Sequence, residues 1–248
     1  MERLLDSEQA RIFRYGMKMC GHPEDAADVL QETLLTMARS LGEFRGDSSL
    51  STWVYTIARS FCGKKRRRSK FAPAREDSLD TDVPAEASRL AHPADDPEAE
   101  TASHQVRVAL DRAIAALEPM YREVLLLRDV EGLTAPEVGE VLGLSIAAVK
   151  SRLHRARSAV RESLAPMLDP NAALPGAGCP DIVASLSKPL EGELNPDACA
   201  EMERHLETCG GCKATCDTLR ETLRLCRATS APAVPPQIAR SVRAVPSQ

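Results

Sequence analysis

The sequence predicts an all-α chain: two small helical domains joined by a flexible linker, followed by a short helical cysteine-rich domain. Three observations predict it. Apolar residues recur at spacings of three and four in successive segments. Helix-start signals stand in front of several of those segments. The intervening stretches are rich in Pro, Gly or acids and carry no apolar period.

The first helical segment runs from Ser7, with Ile12, Tyr15 and Met19 on one face. His22-Pro23-Glu24-Asp25 then reads as a helix start, because Pro is tolerated in a first turn and acids suit the helix dipole. Val29, Leu30, Leu34, Met37 and Leu41 share one face of that second helix, and Gly42 and Gly46 break the pattern. Ser48 or Ser49 caps a third helix, whose Leu50, Trp53, Val54, Ile57 and Phe61 are expected to face inward before the run KKRRRSK. A first domain over residues 1–75 follows, then an acidic, Pro-studded linker over 76–103 that is expected to be disordered.

The helical period resumes at Val106, Leu110, Ile114 and Leu117, and again at Val124, Leu125 and Leu127, ending at Gly132. Thr134-Ala135-Pro136-Glu137 fits a capping box, in which the Thr hydroxyl and the Glu carboxylate satisfy each other's backbone N–H. Gly143 permits a tight turn, Ser145 caps the next helix, and Val149, Leu153, Ala156 and Val160 form its inner stripe. This second domain covers 104–166. A linker rich in Pro, Ala and Gly over 167–178, a cysteine-rich domain over 179–228 and a tail over 229–248 complete the chain.

The N-terminus carries charges in every turn and no segment is apolar enough to cross a bilayer, so a cytoplasmic location is expected. In such a reducing compartment the eight cysteines, six of them from Cys179 onward, point to metal ligands or redox thiols rather than a disulfide framework. The net charge of −4 conceals blocks of opposite sign, so it does not exclude nucleic acid as a partner.

Two short helices across a Gly turn, the second presenting Lys150, Arg152, Arg155 and Arg157 opposite its aliphatic stripe, form a helix-turn-helix pattern. A helix of this kind enters the major groove while its cations contact phosphates. The first domain adds the basic run Lys64–Lys70 beside Phe44, Arg45, Trp53, Tyr55 and Phe61. Cations that track a strand and aromatics that stack on bases serve single-stranded nucleic acid. Spacing puts Trp53 and Phe61 toward the core and leaves Phe44 and Tyr55 as the freer aromatics.

DAADVLQETLLTMARSL, FRGDSSLSTWVYTIARS and LTAPEVGEVLGLSIAAVKSRLHRARSAVRE, in that order around an acidic linker, resemble the extracytoplasmic-function sigma factors of the sigma-70 superfamily, over Asp6 to about Leu164. The resemblance implies that the first domain is sigma region 2 and the second sigma region 4. It implies binding to core RNA polymerase and promoter DNA, and no enzymatic activity. Asp25, Asp28, Gln31 and Glu32 match the polymerase-binding helix. Phe44 to Ser49, with Phe44, Arg45 and Ser48, matches the loop that captures a base of the minus-ten element. Ser60, Lys64 and Arg66 follow on the adjoining helix; many relatives carry Asn where this chain has Ser60, which puts its base selection in question. The minus-thirty-five reader matches Ile146, Ala147, Lys150, Ser151 and His154, with Arg155 and Arg157 directed at phosphates.

His205, Cys209 and Cys212 lie within two helical turns, a spacing that wraps a tetrahedral ion, and Cys179 is the best candidate for a fourth ligand. Thiolate and imidazole suit zinc, while additional sulfur favours cadmium or copper. Cys199, Cys216 and Cys226 are additional metal or redox thiols, or small buried hydrophobes. CPDIVASL with LEGELNPDACAEMERHLETCGGC resembles the zinc-binding anti-sigma domain, although Pro189 stands where that helix usually continues. Its fusion to a sigma factor is similar to the CorE-type metal-responsive sigma factors. That likeness implies activity gated by zinc, cadmium or copper, no membrane partner, and no need for a separate anti-sigma factor. Two other readings stand beside it. One is a structural zinc site with a thiol–disulfide switch. The other, a zinc hydrolase, finds neither an HExxH-like helix nor a carboxylate-rich motif.

Overall fold

The computed structural model describes residues 2–71, 97–190, 196–230, 232 and 234, and all its regular elements among them are helical. The acidic stretch 76–96 and nearly all of the tail beyond Ser230 lie outside the described residues. Among those described, no helix is long and apolar enough to cross a membrane. The chain divides into two compact units.

The first unit holds α1 (Glu2–Cys20), α2 (Pro23–Ser40) and α3 (Leu50–Phe71), with a 3-10 turn at Leu41–Glu43. Each of the three helices packs on the other two. Ile12, Tyr15, Val29, Leu30, Leu34, Met37, Val54 and Tyr55 fill their shared core. The Tyr15 and Tyr55 rings meet edge to face at 5.5 Å. The buried stripe of α3 therefore runs through Val54, Tyr55, Ala58 and Cys62, and Trp53, Ile57 and Phe61 are only half-buried. This reverses the expected roles of Trp53 and Tyr55. Trp53 and Tyr55 are two residues apart, about 200° around the helix, so only one of them can face the core, and the long-range partner Tyr15 selects which one turns inward.

The second unit holds α4 (Pro97–Ala116), α5 (Pro119–Leu125), α6 (Ala135–Leu142), α7 (Ile146–Leu168), α8 (Ile182–Leu190), α9 (Pro196–Thr208) and α10 (Gly210–Arg227). α4 begins inside the stretch expected to be linker, where Pro97 and the acids behind it suit a first helical turn. The capping box closes as expected: the Glu137 amide donates to Thr134 Oγ1 at 3.4 Å and the Thr134 amide donates to Glu137 Oε2 at 2.8 Å. Gly143 ends α6 with a left-handed φ of 67°, a conformation that Gly adopts without a Cβ penalty. Ser145 then caps α7 by accepting from the Ala148 amide at 3.2 Å.

α7 is the central element, packed against α4, α5, α6, α8 and α10. After α5 the backbone widens into a π turn over Leu126–Val130. Val124 and Leu125 at the end of α5 and Leu126, Leu127 and Asp129 in the π turn are all buried. There the Asp129 carboxylate accepts from Arg157 of α7 at 2.6 and 2.8 Å, with both side chains 1% exposed. Arg157 also donates to Ser187 Oγ of α8 at 3.1 Å. The expected phosphate-contacting role of Arg157 is thereby corrected. Its guanidinium is enclosed, because a buried carboxylate and a hydroxyl supply the fork's partners in place of solvent or phosphate.

Removing one member of an enclosed ion pair strands the other charge. Arg157→Ala should therefore lower the unfolding free energy of the chain by about 3–5 kcal/mol in urea denaturation. Replacing Arg157 and Asp129 together by Met and Leu should recover most of that loss. Equal losses for the single and double variants would refute the coupling.

Candidate functional site

Cys179, His205, Cys209 and Cys212 converge, and their four ligand atoms lie within 4.8 Å of one another. Cys179 precedes α8, His205 lies in the last turn of α9, Cys209 is the residue before α10, and Cys212 sits in the first turn of α10. Cys179 Sγ and Cys209 Sγ are 3.7 Å apart, and His205 Nε2 is 3.1 Å from Cys212 Sγ. A tetrahedral zinc with Zn–S bonds of about 2.3 Å requires sulfurs roughly 3.8 Å apart. The Cys179–Cys209 separation matches this edge, and the residues present fit a tetrahedral thiophilic ion.

The backbone creates the site's electrostatics. The Cys212 backbone amide donates to Cys209, with help from the Cys212 and Cys179 side chains and the Gly211 amide. These bonds hold the Cys209 thiol down at about 7 against the opposing effect of burial. Cys212, 0% exposed, is pushed up to about 12 by burial first and then by the sulfurs of Cys179 and Cys209. The second Gly of the Cys-Gly-Gly-Cys turn has a steric role that spacing alone did not reveal. A Cβ on Gly211 would lie 2.3 Å from the Leu174 carbonyl oxygen, so the segment before Cys179 passes over the turn only because no side chain is there.

The surplus thiols do not join this cluster. Cys199 lies on α9, half-buried. Cys216 packs in an apolar cluster with Ile182 and Cys212, and burial raises its thiol. Cys226 is 0% exposed on the inner side of α10. Among the described residues, the grouping that can hold an ion takes in Cys179, His205, Cys209 and Cys212 and leaves these thiols out.

α8 and α10 lie against α7, the second helix of the helix-turn-helix. At the start of α7, Ile146, Ala147 and Ser151 are exposed and Lys150 is half-exposed. Arg155 is exposed and donates to Tyr121 Oη at 2.9 Å. One turn further along, the two segments meet: His154 Nε2 is 3.0 Å from Asp181 Oδ2. Asp181 also caps α8 by accepting from the Ala184 amide at 2.9 Å. Its carboxyl is shifted downward, as the bonds from Ala184 and His154 outweigh partial burial, the largest single influence. Sequence reasoning identified His154 but not Asp181, Asp129 or Ser187. Asp181 carried a signal, an Asp just before an apolar helical run.

In the first unit, Lys65 of α3 bonds Asp28 and lies 3.4 Å from Asp25, so these two acids of α2 face a cation. Gln31 and Glu32 are exposed on the same helix. Phe44 stacks on Trp53, with centroids 5.1 Å apart and a 37° tilt, placing a half-exposed aromatic pair beside the exposed Arg45 and half-exposed Ser48. Ser49, rather than Ser48, caps α3, accepting from the Thr52 amide at 3.2 Å. Ser60 is exposed with its hydroxyl on the Ile57 carbonyl at 2.8 Å. Lys64 lies 4.8 Å above the Phe61 ring, and Arg66 is half-exposed.

Comparison with known proteins matches residues 4–72 to the family Sigma-70 region 2 and 107–160 to Sigma-70, region 4. Residues 179–213 match the family described as "Putative zinc-finger". The RNA polymerase sigma-H factor of Pseudomonas aeruginosa is 32% identical over 167 residues, covering 64% of this chain and 83% of that one. The ECF RNA polymerase sigma factor SigE of Mycolicibacterium smegmatis is 31% identical over 167 residues, or 66% of this chain. The match spans 61% of that relative's length. Among solved structures, the sigma factor RpoE in complex with the anti-sigma factor NepR from Bartonella quintana shares 22% identity and a TM-score of 0.44, over 64% of this chain and 91% of that one.

The four-donor cluster makes a direct prediction. The full chain loaded with zinc should retain about one ion after desalting, as a tetrahedral site would. Cys212→Ala and His205→Ala should each reduce the retained zinc at least tenfold, measured by elemental mass spectrometry. Unchanged retention in both variants would show that the ion sits elsewhere.

Proposed function

The chain belongs to the extracytoplasmic-function sigma-70 family, and from that premise we propose that it directs core RNA polymerase to specific promoters under the control of a metal ion held by its cysteine-rich domain. In this reading Asp25, Asp28, Gln31 and Glu32 meet polymerase. The Phe44–Trp53 pair, Arg45, Ser48, Ser60, Lys64 and Arg66 engage the opened minus-ten strand, where stacking and cations both contribute. Ile146, Ala147, Lys150, Ser151 and Arg155 meet the minus-thirty-five groove.

One observation carries the regulatory part. Cys179, a candidate ligand, stands two residues before Asp181, whose carboxylate holds His154 on the DNA-reading helix. Any ion that orders Cys179 therefore acts on α7 through a lever of two residues, and metal coordination supplies folding energy to a segment with only a small core. Zinc, cadmium and copper(I) all suit three sulfurs and an imidazole. Four protein ligands leave no open position for an activated water, so the site reads as structural or sensory rather than hydrolytic. The Cys179–Cys209 separation of 3.7 Å and the lowered Cys209 thiol also favour a second reading, in which these two sulfurs oxidise when the ion is absent.

Run-off transcription with core polymerase and a selected promoter provides the test. Metal-free protein and protein loaded with zinc, cadmium or copper(I) should differ at least fivefold in transcript yield, and Asp181→Ala should abolish that difference while leaving basal transcription measurable. Identical yield in all metal states would refute the gating. Failure to co-purify with core polymerase would refute the sigma function itself. A metal-independent response to diamide that Cys209→Ser removes would select the redox reading.

A further inference from the structure

Two cysteines lie outside the tail. Cys20 is the last residue of α1 and Cys62 lies on α3, yet their sulfurs are 3.4 Å apart. The pair is 42 residues apart in sequence and is brought together by the core in which Tyr15 meets Tyr55. Cys62 is 2% exposed, whereas Cys20 is partly open to solvent. The Cys20 thiol is shifted below its usual range, chiefly because Cys62 hydrogen-bonds to it; Arg66 and Lys65 add to the shift, against burial and Asp25. An accessible thiol favoured as thiolate, backed by a buried second thiol in contact, matches the division between an attacking and a resolving cysteine.

We infer that Cys20 and Cys62 are a hydroperoxide-reactive pair that closes into a reversible disulfide joining α1 to α3. The Cys20 thiolate attacks one peroxide oxygen and the O–O bond breaks. This leaves a sulfenic acid on Cys20, and the departing oxygen takes up a proton as water, or as alcohol when the oxidant is an alkyl hydroperoxide. Cys62 then attacks the sulfenic sulfur. The S–S bond forms, and the hydroxyl leaves with the Cys62 proton as a second water. The two thiols lose two electrons and the peroxide gains them. A disulfide requires sulfurs about 2.05 Å apart, so they must approach by roughly 1.3 Å, a movement on the scale of a side-chain rotation. Exchange with a small dithiol reopens the bond.

The whole chain, incubated with zinc, is treated under native conditions with a small excess of hydrogen peroxide, remaining thiols are alkylated, and the tryptic digest is read by mass spectrometry. The expected product links the peptide Met19–Arg39 to Ser60–Lys64 in most chains and disappears on treatment with dithiothreitol. In Cys62→Ser, Cys20 should instead be trapped by dimedone as the sulfenic acid. If that variant does not fold, the linked wild-type peptide alone decides. Recovery of both thiols alkylated while tail cysteines oxidise, or linkage of Cys20 to a tail cysteine, would overturn the inference.

Discussion

The second unit depends on one enclosed contact, the bidentate bond from Arg157 to Asp129. A charge without solvent is tolerated only when its hydrogen-bonding partners are complete. Asp129 reaches this position because the π turn at Leu126–Val130 turns it inward, and Arg157 lies on α7, the helix against which α4, α5, α6, α8 and α10 pack. Ser187 adds its hydroxyl from α8. The guanidinium thus connects three parts of the chain: the π turn before the helix-turn-helix, the second helix of that motif, and the cysteine-rich segment. Its geometry restricts how α8 can sit, which a purely apolar contact of similar area would not do.

The cysteine-rich segment has little other means of holding itself together. Its apolar interior consists of Ile182, Cys212 and Cys216 in one cluster and Val183, Leu219 and Leu223 in another. Burying side chains of this size contributes about 1.5–3 kcal/mol each, against the ordering of three helices. Docking on α7 adds to that small interior, and an ion held by the four donors would add folding energy in the proposed reading. Cys212 takes part in both, as a ligand-cluster sulfur and as a wholly buried core side chain.

Much of this was legible in the sequence because it is local. Helix periodicity, the Thr134–Glu137 box, the Gly143 turn and the His205, Cys209 and Cys212 spacing all express themselves within a turn or two. The remainder rests on long-range partners. Helical spacing puts Arg157 on the stripe of Leu153, Ala156 and Val160 and Arg155 off it, but its charge argues for the surface; only Asp129, 28 residues away, explains how that charge can be buried. The exchange of Trp53 for Tyr55 in the core has the same origin in Tyr15. Cys20 and Cys62 were uninformative for the same reason, each being a single thiol in its own stretch of sequence.

The burial of Cys212 has a chemical consequence for a cell. Burial pushes its thiol up, so in the proposed reading an arriving ion would gain that sulfur only by expelling its proton. On that proposal ion and proton would compete for one atom, and acidification would oppose loading just as a falling metal supply would. Because a neutral thiol is also at ease in an apolar interior, the protonated site keeps a well-packed residue where the ligand was. In the proposed reading the first turn of α10 stays packed with or without an ion, and the Cys179 segment is the part that the ion would order.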